Sequence, residues 1–177
     1  MVNSFKIERG IIMKKLICVC MLVASFALMS FSDTVIKNDM LYSGYVGYRY
    51  FDQSRNLNNA WELGMAVQKV NNDQWWMDFN VGLIPTTLRT TSASQWLLAL
   101  GVNFYYNLMT DKMFTPYVLL GAGTDLGVES LAGLNVGAGV YVMRNSSMWA
   151  RAELKNVYYA NNHGNDTIYQ IVFSYLM

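Results

Sequence analysis

The stretch Trp75-Trp76-Met77-Asp78-Phe79-Asn80-Val81-Gly82-Leu83 alternates with a period of two. Trp75, Met77, Phe79, Val81 and Leu83 make one greasy face, and Trp76, Asp78, Asn80 and Gly82 make a second face richer in small and polar groups. Successive side chains of a strand point to opposite sides of the pleat, so this pattern predicts a β-strand whose two faces meet different surroundings. Seven further stretches read the same way, each near the ~9–11 residues that a tilted strand needs to cross a membrane. They are expected over about Met40 to Phe51, Ala60 to Val70, Gln95 to Tyr106, Thr115 to Thr124, Ala132 to Met143, Met148 to Val157, and Thr167 to the end. The stretch from Thr115 is the one whose lipid-facing side stays open, because Gly121 and Gly123 share a face with Tyr117 and Leu119.

The connections support this division. Asn71 to Gln74 and Arg144 to Ser147 have the composition of tight turns, and Asn107 to Met113 is slightly longer. The alternate junctions, Asp52 to Asn59, Pro85 to Ser94, Asp125 to Leu131 and Tyr158 to Asp166, are mostly longer and rich in Gly, Asn, Ser and Thr. Short turns at one end and longer loops at the other are the asymmetry of a membrane barrel with its loops outside. Backbone groups in hydrocarbon need partners, so the sheet must close. The fold class is therefore all-β: an eight-stranded antiparallel transmembrane β-barrel after an N-terminal signal peptide.

Composition agrees. The 177 residues are 53% hydrophobic and only 14% charged, which starves a water-facing surface of its usual charge. Yet no stretch in the body of the chain stays apolar for the ~20 residues of a membrane helix. Near the start, Met13-Lys14-Lys15 precedes an apolar run from Leu16 to Phe31, and Ser30-Phe31-Ser32 offers small residues three and one before a cut. This is read as a secretory signal cleaved after Ser32, the competing reading being an uncleaved anchor. Residues 1–32 are assigned to an upstream extension and signal, and residues 33–177 to the barrel. Lys6, Glu8 and Arg9 are odd in a signal, which makes Met13 the candidate start. Cys18 and Cys20 fall inside the apolar run, so no disulfide or thiolate metal site is expected in the exported chain. From Asp33 onward there are nine Lys and Arg against eleven Asp and Glu, a formal charge of about −2 that gives no basic patch for nucleic acid.

Leu131 to Tyr159, LAGLNVGAGVYVMRNSSMWARAELKNVYY, resembles a strand, tight turn and strand of the OmpA-like and OmpX-like outer-membrane barrel superfamily. Tyr45-Val46-Gly47-Tyr48-Arg49-Tyr50 and Pro116 to Gly123 resemble its first and fifth strands. The likeness covers nearly the whole exported chain, but rests on loose Gly and aromatic spacing, so it marks an architecture and not a particular member. The closing alternation Tyr169, Ile171, Phe173, Tyr175, Met177 resembles the signal read by the barrel-assembly machinery, departing from it in ending on Met instead of Phe or Trp. The resemblance implies a Gram-negative outer membrane and contact with its lipid and lipopolysaccharide, with the external ligand left open.

If the polar face looks inward, Arg49, Glu62, Asp78, Arg151, Glu153 and Lys155 project into a lumen too narrow for bulk water and must pair. Tyr42, Tyr50, Trp61, Trp75, Trp96, Tyr106 and Tyr175 fall near strand ends, where amphipathic rings lie at headgroup level as a girdle. His163 is the single histidine. Some barrels of this size resemble lipid A deacylases with a Ser two positions after the His; here Asn165 stands there and the nucleophile is missing. No metal cluster or phosphate-binding loop appears, and no cofactor is expected. The leading expectation is a non-enzymatic envelope scaffold or surface-contact protein with a charge-paired lumen. A narrow gated ion channel is the alternative; a lipid A-modifying barrel enzyme and a soluble lipocalin-like barrel are weaker, the latter because the polar face carries few charges.

Overall fold

The computed structural model describes residues 40–71, 74–109, 114–127, 130–144, 148–160 and 164–176. The signal expected over residues 1–32, His163 and Met177 lie outside these residues. Eight strands follow one another around a closed antiparallel barrel: β1 (Met40–Tyr50), β2 (Ala60–Val70), β3 (Trp75–Thr87), β4 (Ser94–Asn107), β5 (Thr115–Leu126), β6 (Leu131–Arg144), β7 (Met148–Tyr159) and β8 (Asn165–Leu176). Closure is made by β1, where Tyr42 lies opposite Val67 of β2 on one side and Tyr175 of β8 on the other. With every strand paired twice, the sheet leaves no edge to hydrocarbon. Among the described residues no helix is long and apolar enough to cross a membrane.

The period of two sorts the side chains as the sequence predicts. Leu63, Met65, Phe79, Leu83, Phe104, Leu120, Leu134, Ile171 and Phe173 stand exposed on the outer wall, while Glu62, Asp78, Asn80, Asn103, Arg151 and Gln170 are buried inside. The open face of β5 is decided: Tyr117, Leu119 and Gly121 point inward, and Val118, Leu120 and Ala122 point outward. Those inward glycines make room for tall neighbours. Gly64 lies opposite Tyr45 and Gly139 opposite Tyr117, and a Cβ at either glycine would run into the tyrosine ring.

Several strand boundaries differ from expectation. The junction expected over Pro85 to Ser94 shrinks to Leu88–Ala93, because β3 runs on to Thr87. Pro85 is accommodated there because β2 stops pairing with β3 at Leu83, so β3 beyond it is an edge with β4 on one side only. The first loop then covers that edge, with Asn58 N donating to Thr87 O at 2.9 Å and an isolated bridge between Leu57 and Leu88. Likewise Asp125 and Asp166, expected in loops, are strand residues with buried side chains.

The outer wall gives a first test. From Trp96 to Tyr106, ten residue steps of about 3.3 Å tilted by roughly 40° make a band about 25 Å tall. Phe79 pairs with Val102 near its middle. The Phe79→Arg variant is expected to lose about 2–4 kcal/mol of folding free energy in lipid, against about 0–1 kcal/mol for Trp96→Arg at the rim. Urea unfolding in liposomes reads the difference; equal losses would mean that this wall does not face hydrocarbon.

Candidate functional site

The lumen is filled from one end to the other, and its contents divide into layers. At the loop end, Phe51, Leu57, Ala60, Ile84, Leu97 and Ala99 form an apolar cap. Phe51 and Leu57 come from the first loop, which enters the mouth of the barrel through a 3-10 turn, Gln53–Arg55. Asp52 caps that turn by accepting from Ser54 N at 2.8 Å, and this hydrogen bond holds its carboxyl below the ordinary range. Asn56 ends the turn in the left-handed region at φ 52°, a conformation asparagine tolerates.

Beneath the cap lies an ion-paired knot. Arg49 holds Glu62 at 2.9 Å and Asp125 at 2.8 Å. Arg55, on the 3-10 turn, reaches the same Asp125 oxygen at 2.8 Å and pairs with Asp166. The Tyr159 hydroxyl donates to Asp125 at 2.7 Å and its ring lies under the Arg55 guanidinium, 4.6 Å away. Tyr45 donates to the other Glu62 oxygen at 3.1 Å. Such multiple satisfaction is what allows charges to be buried at all, since an unpaired one would cost several kcal/mol.

Toward the turn end, a second knot surrounds Arg151, which approaches Asp78 at 3.4 Å and Glu153 at 3.5 Å. Asp78 also accepts from Tyr105 at 2.7 Å, Asn80 at 2.9 Å and Asn103 at 3.0 Å. Glu153 accepts from Tyr117 at 2.9 Å and Gln170 at 2.7 Å. The Arg151 guanidinium lies over Trp76, 4.6 Å from the ring, and Trp76 stacks on Tyr105 at 3.5 Å. Trp76, Tyr105, Tyr117, Leu119 and Tyr141 close this end as an aromatic plug, with Val70 and Trp149 packed against it.

All six lumen residues singled out in the sequence are buried: Arg49, Glu62, Asp78, Arg151, Glu153 and Lys155. Five enter the two knots; Lys155 joins neither and lines a cavity between them. The sequence reading missed Arg55, Asp125 and Asp166. Asp125 continues the inward parity of Tyr117, Leu119 and Gly121, and Asp166 that of Ile168 and Gln170, so extending each strand by one or two residues would have found them. Arg55 gave no signal, because a loop has no period.

The aromatic residues expected as a girdle stand on the outer wall and divide between the two ends. Tyr50, Trp61 and Trp96 lie toward the loops, and Tyr42, Trp75, Tyr106 and Tyr175 toward the turns. Tyr48 joins the loop-end group by edge contact with Tyr50 and Trp61. Tyr169, Ile171, Phe173 and Tyr175 of the expected assembly signal alternate outward on β8. Among the described residues no group of three or more His, Cys, Asp and Glu side chains could hold a metal ion.

The sequence matches no family model and no curated relative. Solved structures do match. Neisserial surface protein A aligns over 78% of this chain and 97% of its own, with a TM-score of 0.66 and 12% identity. The N-terminal barrel domain of Pseudomonas aeruginosa OprF aligns over 79% and 98%, with a TM-score of 0.58 and 13% identity. Ail, the attachment invasion locus protein of Yersinia pestis, aligns over 80% and 100%, with a TM-score of 0.54 and 11% identity. At these identities the likeness shows the fold alone, an eight-stranded β-barrel shared with these outer-membrane proteins.

Proposed function

We propose that this chain, an eight-stranded transmembrane barrel of OmpA-like fold, works in the outer membrane as a closed, non-enzymatic scaffold that meets the exterior through its loop end. The observation that supports this reading is the sealed lumen: a knot of Arg49, Glu62, Arg55, Asp125 and Asp166 under one mouth, and Trp76, Tyr105, Tyr117 and Tyr141 across the other. A polar interior packed this densely stiffens the barrel and leaves no aqueous path. The loops also brace one another. Asn56 donates to Thr90 at 2.9 Å, Asn58 to Thr87 at 2.8 Å, and Arg89 to the Phe51 carbonyl at 3.1 Å. A hydroxyl-rich, braced rim with few charges suits contact with lipopolysaccharide headgroups or an external partner, while the outer wall meets the acyl chains. Export through a cleaved signal and insertion guided by the alternating β8 belong to the same reading.

One observation favours a second reading, a narrow gated channel. Arg55 pins the outer knot from a loop and not from a strand, so it can withdraw without breaking the barrel ladder. Outer-membrane fractionation with boiled and unboiled gel samples tests the barrel; a mobility shift on boiling is expected. Planar-bilayer recording then tests scaffold against channel. The wild type is expected to give no conductance steps, and a reproducible pore in the wild type would overturn the closed reading in favour of the gate.

A further inference from the structure

The outer wall is not uniform. Across β6, β7, β8, β1 and β2 runs a groove of about 560 Å³ that opens sideways from the barrel. Its loop-side border is a row of paired residues, Leu154, Tyr169, Tyr48 and Trp61, and its turn-side border is the next row, Ala152, Ile171 and Val46. Ring contacts hold the two rows apart. Tyr48 packs edge-on against Tyr50 at 5.0 Å and Trp61 at 5.2 Å, and Tyr169 against Tyr50 at 5.8 Å, so the rings gather toward the loops and away from Val46 and Ile171. Ala152 and, at the far end, Ala138 add depth, because each puts only a methyl group where neighbouring outward positions carry large side chains.

We propose that this groove seats one acyl chain of the glycolipid in the loop-side leaflet, lipopolysaccharide, and that Asn156 and Thr167 hydrogen-bond the linkage from which the chain hangs. The course of the groove supports this. From Trp61, at the loop-end girdle, to Ala138, midway along β6, it crosses four interstrand spacings of about 4.8 Å, and a strand tilt of roughly 40° makes that path descend by about 12 Å. A hydrocarbon core of ~30 Å gives each leaflet about that depth, so the groove starts at headgroup level and ends near the midplane, as one acyl chain does. Its volume lies within the ~300–1,000 Å³ of ligand pockets, and it is continuous with the wall that already meets acyl chains. The polar pair supplies the second observation. Asn156 and Thr167 lie opposite each other on the outward parity, one row nearer the loops than Leu154 and Tyr169. Thr167 Oγ1 donates to Asn156 Oδ1 at 2.8 Å, and among the described residues no side chain takes up the Asn156 amide N–H groups. Donors beside hydrocarbon need a partner. Being uncharged, the pair fits the amide or ester of an acyl chain and not a phosphate. The inference rests on the reading of an outer-membrane barrel with its loops outside, and is independent of whether the lumen conducts.

Native mass spectrometry tests the site, using the exported barrel refolded in micelles that contain equimolar lipid A and phosphatidylethanolamine. The wild type is expected to retain one lipid A after loosely held lipid is stripped. Ala152→Trp fills the groove from the membrane side and is expected to lower that retention about tenfold; Thr167→Val removes the linkage contact and is expected to lower it about fivefold. A gel shift on boiling shows that each variant is folded, and Ala138→Phe replaces Ala152→Trp should that variant fail. Equal retention by wild type and variants, retention of phosphatidylethanolamine instead, or a barrel dimer that Ala152→Trp breaks would each overturn the proposal. A wild type with no gel shift sinks the barrel reading and this site with it. A wild type that conducts and still retains lipid A in this pattern refutes the closed scaffold and supports the groove.

Discussion

The Arg151→Met variant is expected to fold with about 3–5 kcal/mol less stability than the wild type. Arg151 is fully buried and is the cation lying between Asp78 and Glu153. Met keeps much of the side-chain volume, so the loss isolates the charge. Removing one partner of a buried ionic group strands the other, and here two carboxylates are stranded together. A triple variant, Arg151→Met with Asp78→Asn and Glu153→Gln, is expected to recover most of the loss, because amides of the same shape still bond Tyr105, Tyr117 and Gln170 without a charge to compensate. Urea unfolding in liposomes or detergent, followed by the gel shift on boiling, measures both variants. If Arg151→Met costs less than about 1 kcal/mol, the inner knot does not hold the lumen together.

The second large effect is expected at the aromatic plug. Trp76 is 1% exposed and contacts Tyr105, Tyr117, Tyr141 and the Arg151 guanidinium. Trp76→Ala is expected to cost about 3–5 kcal/mol through lost burial and the cavity left behind. The same change removes the ring that closes the turn end, so it separates the two roles of the lumen. Small, flickering conductance from Trp76→Ala in a bilayer, with none from the wild type, would locate the inner barrier in the plug. Silence from a folded Trp76→Ala barrel would leave the outer knot sufficient to block passage, and adding Arg55→Ala to it is then expected to open the path. Neither variant touches the outer wall, so insertion into lipid should persist.

The alternation of Trp75 to Leu83 and its repeats determined by themselves that the chain forms strands with one greasy face, and the strand lengths and turn spacing determined how many. Local chemistry suffices for this, since a pleated strand in lipid has only two kinds of side and the sequence must write both. The lumen position of Arg49, Glu62, Asp78, Arg151, Glu153 and Lys155 followed from the same parity. Which of them meet did not. Arg49 and Asp125 lie 76 residues apart, and Arg151 and Asp78 lie 73 apart, so their pairing depends on barrel closure and strand stagger, which no local window contains. Arg55 is the sharpest case: a loop residue without a period becomes the pin of the outer knot because Asp52 caps its turn and Asp125, Asp166 and Tyr159 wait at the mouth. Tertiary structure likewise isolated Lys155 above a small polar cavity, because curvature of the closed sheet, and not the order of residues along β7, decides what each inward side chain faces.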